Sequence, residues 1–273
     1  MLSVPLVVGA SFAYLLLLFA VASLGDRRAA QGRSLIDNAW VYALSMAVYC
    51  TAWTYFGSVG RAASSGIWFL PIYLGPTLAM VLAWMVVRKM LRIAKSYRIT
   101  SIADFIGSRY GKSPTLASLV TLITVVGIVP YIALQLKAVS VGYAVMTGPA
   151  GQPSVQPGDW WNDSTLYFAI ALAAFTIVFG TRRLDASERH EGMVAAIAFE
   201  SLVKLLAFLA VGLFVTYGLF DGLADIYTRA RAVPELAQLF SNQAPFAYGQ
   251  WFSLTLLAML SVVLLPRQFQ IMV

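Results

Sequence analysis

Two pairs of polar side chains, each spaced i,i+4, stand inside otherwise apolar stretches of this 273-residue chain. The first is Glu200 and Lys204, in EGMVAAIAFESLVKLLAFLAVGL. Residues four apart share a helix face, and Glu before Lys is the order that favours a helical ion pair. Charges in an apolar span are costly alone, so the pair is either structural or a proton relay, and spacing leaves both open. The second is Tyr131 and Gln135, directly after Pro130. A phenol and a carboxamide on one face can hydrogen-bond a neighbouring helix or line a pocket for a polar solute. Bond-breaking chemistry has no basis here. No nucleophile stands with a base and an orienting group, so no catalytic residue is assigned. Cys50 is the single cysteine and His190 the single histidine, so no disulfide or metal cluster is expected within the chain. His190, in ASERHEGM, opens an apolar span and reads as a loop histidine and not a phosphoacceptor. GSVG at 57–60 is too short for a phosphate loop.

The elements that must position these residues are membrane helices. The chain is 60% hydrophobic and 11% charged, where a soluble domain carries roughly a quarter charged residues. A net charge of +7 could suggest nucleic acid. The basic residues, however, sit at the ends of apolar segments, so the partner they indicate is a lipid bilayer. Apolar spans run over about 4–24, 39–60, 67–87, 116–147, 164–180, 192–218 and 250–273, each near or above the ~20 residues that cross a membrane. The first is a retained helix and not a signal peptide, because residues 1–10 hold no Lys or Arg and Arg27, Arg28 and Arg33 follow the span. The 116–147 span would be about 48 Å long if continuous, so it must tilt or protrude, with Pro130 able to kink it. A short surface helix is expected around 222–239.

Charge sets the orientation. Of 19 Lys and Arg, thirteen fall in the segments after spans 4–24 and 67–87 and before span 192–218. Basic residues crowd the cytoplasmic side, so these three segments lie inside and the N-terminus outside. The middle one, 88–115, reads as a strongly basic loop. The loop 148–163, with no basic residue and with Trp160 and Trp161, lies outside.

Several motifs carry a family resemblance. Trp53, Gly57, Gly60 and Gly66 form W-x-x-x-G-x-x-G-x-x-x-x-x-G, which resembles the first core helix of the sodium:solute symporter family. TSIADFIGSRYGKS (100–113) is similar to the family's loop after the next helix, and LLPRQFQ (264–270) to its broken sixth core helix. More narrowly, YCTAWTYFGSVG, PYIALQLKAVS, ASERHEGM and LPRQF together look like the symporter-like domain of CbrA-type sensor histidine kinases.

The resemblance implies an all-α membrane protein with a LeuT-like inverted-repeat bundle. It would comprise one extra N-terminal helix, core helices one to five and the start of the sixth, with further helices and a kinase beyond Val273. It implies backbone ion ligands at Ala47 and Cys50, and solute contacts from Trp53, Tyr131, Gln135 and Gln268. Tyr49 stands where proline carriers of the family place an Asp, which argues against strong sodium coupling. No cofactor is implied beyond Na+ or H+ as coupling ion. The expected role is a sensory or transport module of a histidine kinase in the bacterial inner membrane. It would take a small organic solute such as histidine and act through downstream kinase domains and a response regulator. The alternative is a stand-alone ion-coupled transporter of a small organic solute.

Overall fold

A computed structural model describes residues 2–35, 38–99, 101–148, 161, 164–175, 191–240 and 247–272, and contains no strand among them. Helix α1 (Val4–Ala30) opens with a proline in its first turn, where a missing N–H is harmless. It closes with Arg27 and Arg28 at the negative end of the helix dipole. Helix α2 (Ala39–Met46) is capped by Asn38, whose side chain accepts the Trp40 N–H at 2.8 Å. A single 3-10 turn, Ala47–Tyr49, follows, and then the helix stops with Cys50 and Thr51 extended. Helix α3 (Ala52–Ser65) restarts there, with the Thr54 hydroxyl accepting the Thr51 N–H at 3.1 Å. The 39–60 span is therefore two half-helices.

The chain turns back at Gly66, whose φ of +56° suits glycine and where a Cβ would run into the Leu239 carbonyl. Helix α4 (Leu70–Val81) follows, with its first turn folded back on α3. The Tyr73 hydroxyl lies 2.8 Å from that of Ser58, 15 residues earlier, a separation of about 22 Å along a straight helix. The basic segment expected as a loop is largely helical, forming α5 (Val86–Tyr97) and α6 (Ile102–Arg109). Ser101 caps α6 by accepting the Asp104 N–H at 3.0 Å. Helix α7 (Pro114–Thr147) is one 34-residue helix with Pro130 inside it.

Helix α8 spans Ser164–Phe175, and α9 (Glu191–Leu213) continues into a π turn, Phe214–Leu219. The short surface helix is split into α10 (Leu223–Ala232) and α11 (Pro234–Ala237). Helices α12 (Ala247–Leu264) and α13 (Pro266–Met272) meet at a 55° bend, placed where Pro266 cannot continue the backbone ladder. The end of the 164–180 span, most of the 148–163 loop and the segment with Arg182, Arg183, Arg189 and His190 lie outside the described residues.

Helix α1 runs along α9, and α4 along α12, while α7 contacts α3, α6 and α8. Close approach of α1 and α9 relies on Gly192, whose N–H donates to Asp26 Oδ1 at 2.8 Å. A Cβ on Gly192 would meet that carboxylate and the Ala22 carbonyl. The apolar sides of α5 and α6 close over the end of α13. Ala94, Ile99 and Ile102 pack with fully buried Phe269 and Met272, and the Phe105 and Phe269 rings meet edge to face at 5.6 Å. Elsewhere large apolar side chains such as Leu16, Val126 and Leu206 point outward. Among the described residues, four helical stretches are long and apolar enough, by length and composition, to cross a membrane: Val4–Ala30, Ala52–Trp84 (folded at Gly66), Pro114–Thr147 and Glu191–Leu219. An outward apolar surface on helices of this length suits hydrocarbon and not water, so the chain is an all-α membrane protein.

Candidate site at two helix breaks

A helix stops when its backbone cannot continue the i to i−4 ladder, and the carbonyls left behind need other partners. Among the described residues, two such breaks, after Tyr49 and at Leu265, lie side by side. Their helices run antiparallel. The Tyr42 hydroxyl donates to the Met272 carbonyl at 3.3 Å, Gln268 Nε2 to the Met46 carbonyl at 3.1 Å, and the Tyr49 hydroxyl lies 2.9 Å from Ser261 Oγ. As residue numbers rise along α2, their partners fall along α12 and α13.

Two further helices reach the first break. From α7, the Tyr131 hydroxyl donates to Thr51 Oγ1 at 3.3 Å and itself accepts from Arg267 Nη2 at 3.2 Å. One turn on, Gln135 Oε1 accepts the Trp53 backbone N–H at 3.3 Å, one of the donors a restarting helix leaves free. From α9, Lys204 Nζ donates to the Cys50 carbonyl at 3.3 Å and lies 2.6 Å from Glu200 Oε1. The Ala47 carbonyl accepts the Cys50 N–H at 2.8 Å within the 3-10 turn.

The residues singled out in the sequence therefore collect around one region. Ala47, Cys50 and Trp53 belong to the break itself, Tyr131 and Gln135 to α7, Gln268 to α13, and Glu200 with Lys204 to α9. The Trp53 indole lies against Gly57 one turn later, where any Cβ would collide with the ring. That contact gives the W-x-x-x-G spacing a physical reason. Two polar atoms here are buried without a hydrogen-bond partner: Gln135 Nε2 and Gln268 Oε1. Leaving such a group unmade costs on the order of 1–3 kcal/mol. Gln135 Nε2 is a donor and Gln268 Oε1 an acceptor.

Arg267, Ser261 and Thr51 complete the arrangement but were absent from the candidate set. Arg267 carried a readable signal, a full charge beside a helix-breaking proline inside an apolar span. Ser261 and Thr51 carried none, since hydroxyls are common in membrane helices as packing groups.

Residues 30–144 match the family model described as the sodium:solute symporter family. The chain is 24% identical over 232 residues to the uncharacterized symporter YhjB of Bacillus subtilis (strain 168), covering 84% of this chain and 43% of that protein. It is 34% identical over 90 residues to the uncharacterized symporter YodF of the same organism, covering 33% of this chain and 18% of that protein. The chain thus spans less than half the length of these curated relatives. No solved structure matches it. With its long apolar helices, these likenesses make the chain a multi-pass, all-helical membrane protein similar to the sodium:solute symporters.

Proposed function

We propose that this chain forms part of an ion-coupled secondary transporter of a small organic solute. The solute would bind between the α2–α3 break, α7 and the α12–α13 break. The observation that carries this reading is the pair of orphaned amide atoms, Gln135 Nε2 and Gln268 Oε1, at two antiparallel broken helices. Transporters of inverted-repeat type bind solute and ion where discontinuous helices meet near the bilayer midplane. Irregular backbone at membrane depth is tolerated where protein buries it or where it lines a cavity. A LeuT-like arrangement accounts for both breaks and for their opposed directions. Tyr131, Gln135, Gln268 and Trp53 would contact the solute, an amino acid such as histidine being the first candidate.

In this reading the protein sits in a bacterial inner membrane with its N-terminus outside and α5 and α6 at the cytoplasmic face. The charge on Arg88, Lys89, Arg92 and Lys95 supports that orientation. The sequence relatives are symporters, and nothing in them supports the kinase domains or response regulator of the sensory expectation. The transporter reading takes its place.

Uptake into proteoliposomes holding the full-length protein tests this. Radiolabelled L-histidine, then a panel of other amino acids and small carboxylates, should include a solute accumulated saturably under an imposed ion gradient. A panel that neither accumulates above empty vesicles nor shifts the melting of the purified protein would remove the proposal.

A further inference from the structure

The first break holds a cation from the protein's own chain. Helix α2 and its 3-10 turn end at Tyr49, so carbonyls at the negative pole of a half-helix face the gap. An inverted-repeat transporter uses such a pole, with unwound carbonyls, to hold a coupling cation. Here the Ala47 carbonyl accepts the Cys50 N–H at 2.8 Å, which takes one of its two lone pairs. The Cys50 carbonyl receives Lys204 Nζ at 3.3 Å, from 154 residues away. The ammonium is steadied by Glu200 Oε1 at 2.6 Å, one turn earlier on α9.

We propose that the Lys204 ammonium is the resident cation of the α2–α3 break and excludes sodium from it. The inference deepens the transporter reading by naming what controls ion choice at that site. A lysine ammonium is a compact point charge with three donors. With one donor on the carbonyl and one on the carboxylate, it meets the electrostatic need of the half-helix end. A sodium ion arriving there would meet a like charge already seated on the Cys50 carbonyl, and the two cations repel. Neutralising Lys204 removes that obstacle and leaves Glu200 as an uncompensated carboxylate beside a free carbonyl, a combination of hard oxygen ligands suited to a small cation.

Cys50, the single cysteine of these 273 residues and exposed at the break, is a native reporter once any cysteine elsewhere in the full-length protein is replaced by serine. Its alkylation by a membrane-permeant maleimide is followed in the full-length protein, with NaCl replaced by N-methylglucamine chloride at constant ionic strength. The parent should react at the same rate in both salts. In Lys204→Gln, sodium should slow the reaction by about tenfold, in line with removal of a like charge a few ångströms away. Sodium protection of Cys50 in the parent would overturn the proposal. So would indifference to sodium in both proteins, because the lysine would then not be what keeps the ion out. Should Lys204→Gln fail to fold, Lys204→Met carries the same comparison, and sodium protection of the parent still refutes the proposal. None of these outcomes depends on identifying a transported solute, so failure here is distinct from failure of the uptake experiment.

Discussion

The hydroxyls of Tyr49 and Ser261, 212 residues apart in sequence, lie 2.9 Å from one another. Ser261 also donates to the Ala258 carbonyl at 2.7 Å, which fixes its oxygen as the acceptor for the tyrosine. This bond ties the end of the 3-10 turn after α2 to α12, just before the second break. Removing it with Tyr49→Phe should cost about 0.6 kcal/mol, the usual scale of an interhelical hydrogen bond within a membrane. A double-mutant cycle with Ser261→Ala, read from denaturation in mixed micelles, isolates the pairwise energy. A coupling of zero would show that the two helices are held together by packing alone.

Gln135→Ala is expected to weaken solute binding and leave the protein folded. The side chain contributes one bond to the Trp53 N–H, at 3.3 Å, and one unpartnered amide nitrogen. Losing both should raise Kd by about five- to tenfold, equivalent to roughly 1–1.4 kcal/mol. Isothermal titration with a solute identified by uptake measures this, with the melting temperature as the control. An unchanged Kd would leave Gln135 as a structural bridge between α7 and α3.

Orientation is open to chemical labelling. Ser96 on α5 and Ser64 near the end of α3 are both exposed. In a background with Cys50 and any cysteine outside these residues replaced by serine, single cysteines at these positions should behave oppositely in intact cells. An impermeant thiol reagent should modify Ser64→Cys and spare Ser96→Cys until the membrane is opened. The reverse pattern would place α5 and its basic residues outside.

Helix α10 supplies a pH dependence away from the membrane core. The Arg229 guanidinium bonds Asp225 Oδ1 at 2.8 Å and the Asp221 N–H bonds Oδ2 at 3.2 Å. The guanidinium first, and the amide second, hold the Asp225 carboxyl below its usual range. A depressed folded value means that the contribution is present above the ordinary carboxylate pKa of 3.8 and is lost as pH falls through it and below. Arg229 is exposed and Asp225 only partly covered, so the effect is local and small. Hydrogen exchange of the α10 amides should lose protection on acidification in the parent and less so in Asp225→Asn. Equal loss in both would assign the acid sensitivity elsewhere.

What the sequence alone determined is what depends on short range. Apolar run length separates a membrane chain from a soluble one because the bilayer sets a fixed crossing distance. The i,i+4 spacing of Glu200 with Lys204, and of Tyr131 with Gln135, is readable because a helix repeats every 3.6 residues. Pro266 in an apolar span signals a break for an equally local reason, its missing N–H. The basic segment after span 67–87 was legible as charge but not as structure, since α5 and α6 become helical by laying their apolar sides over Phe269 and Met272, which lie far along the chain. Partner choice lay beyond the sequence in the same way. Tyr131 reaches Thr51 across 80 positions, Gln268 reaches Met46 across 222, and Lys204 reaches Cys50 across 154. A polar side chain in a membrane helix will take whichever donor or acceptor packing brings near it. Periodicity can say which face carries the group, but only the packed bundle decides what stands opposite that face.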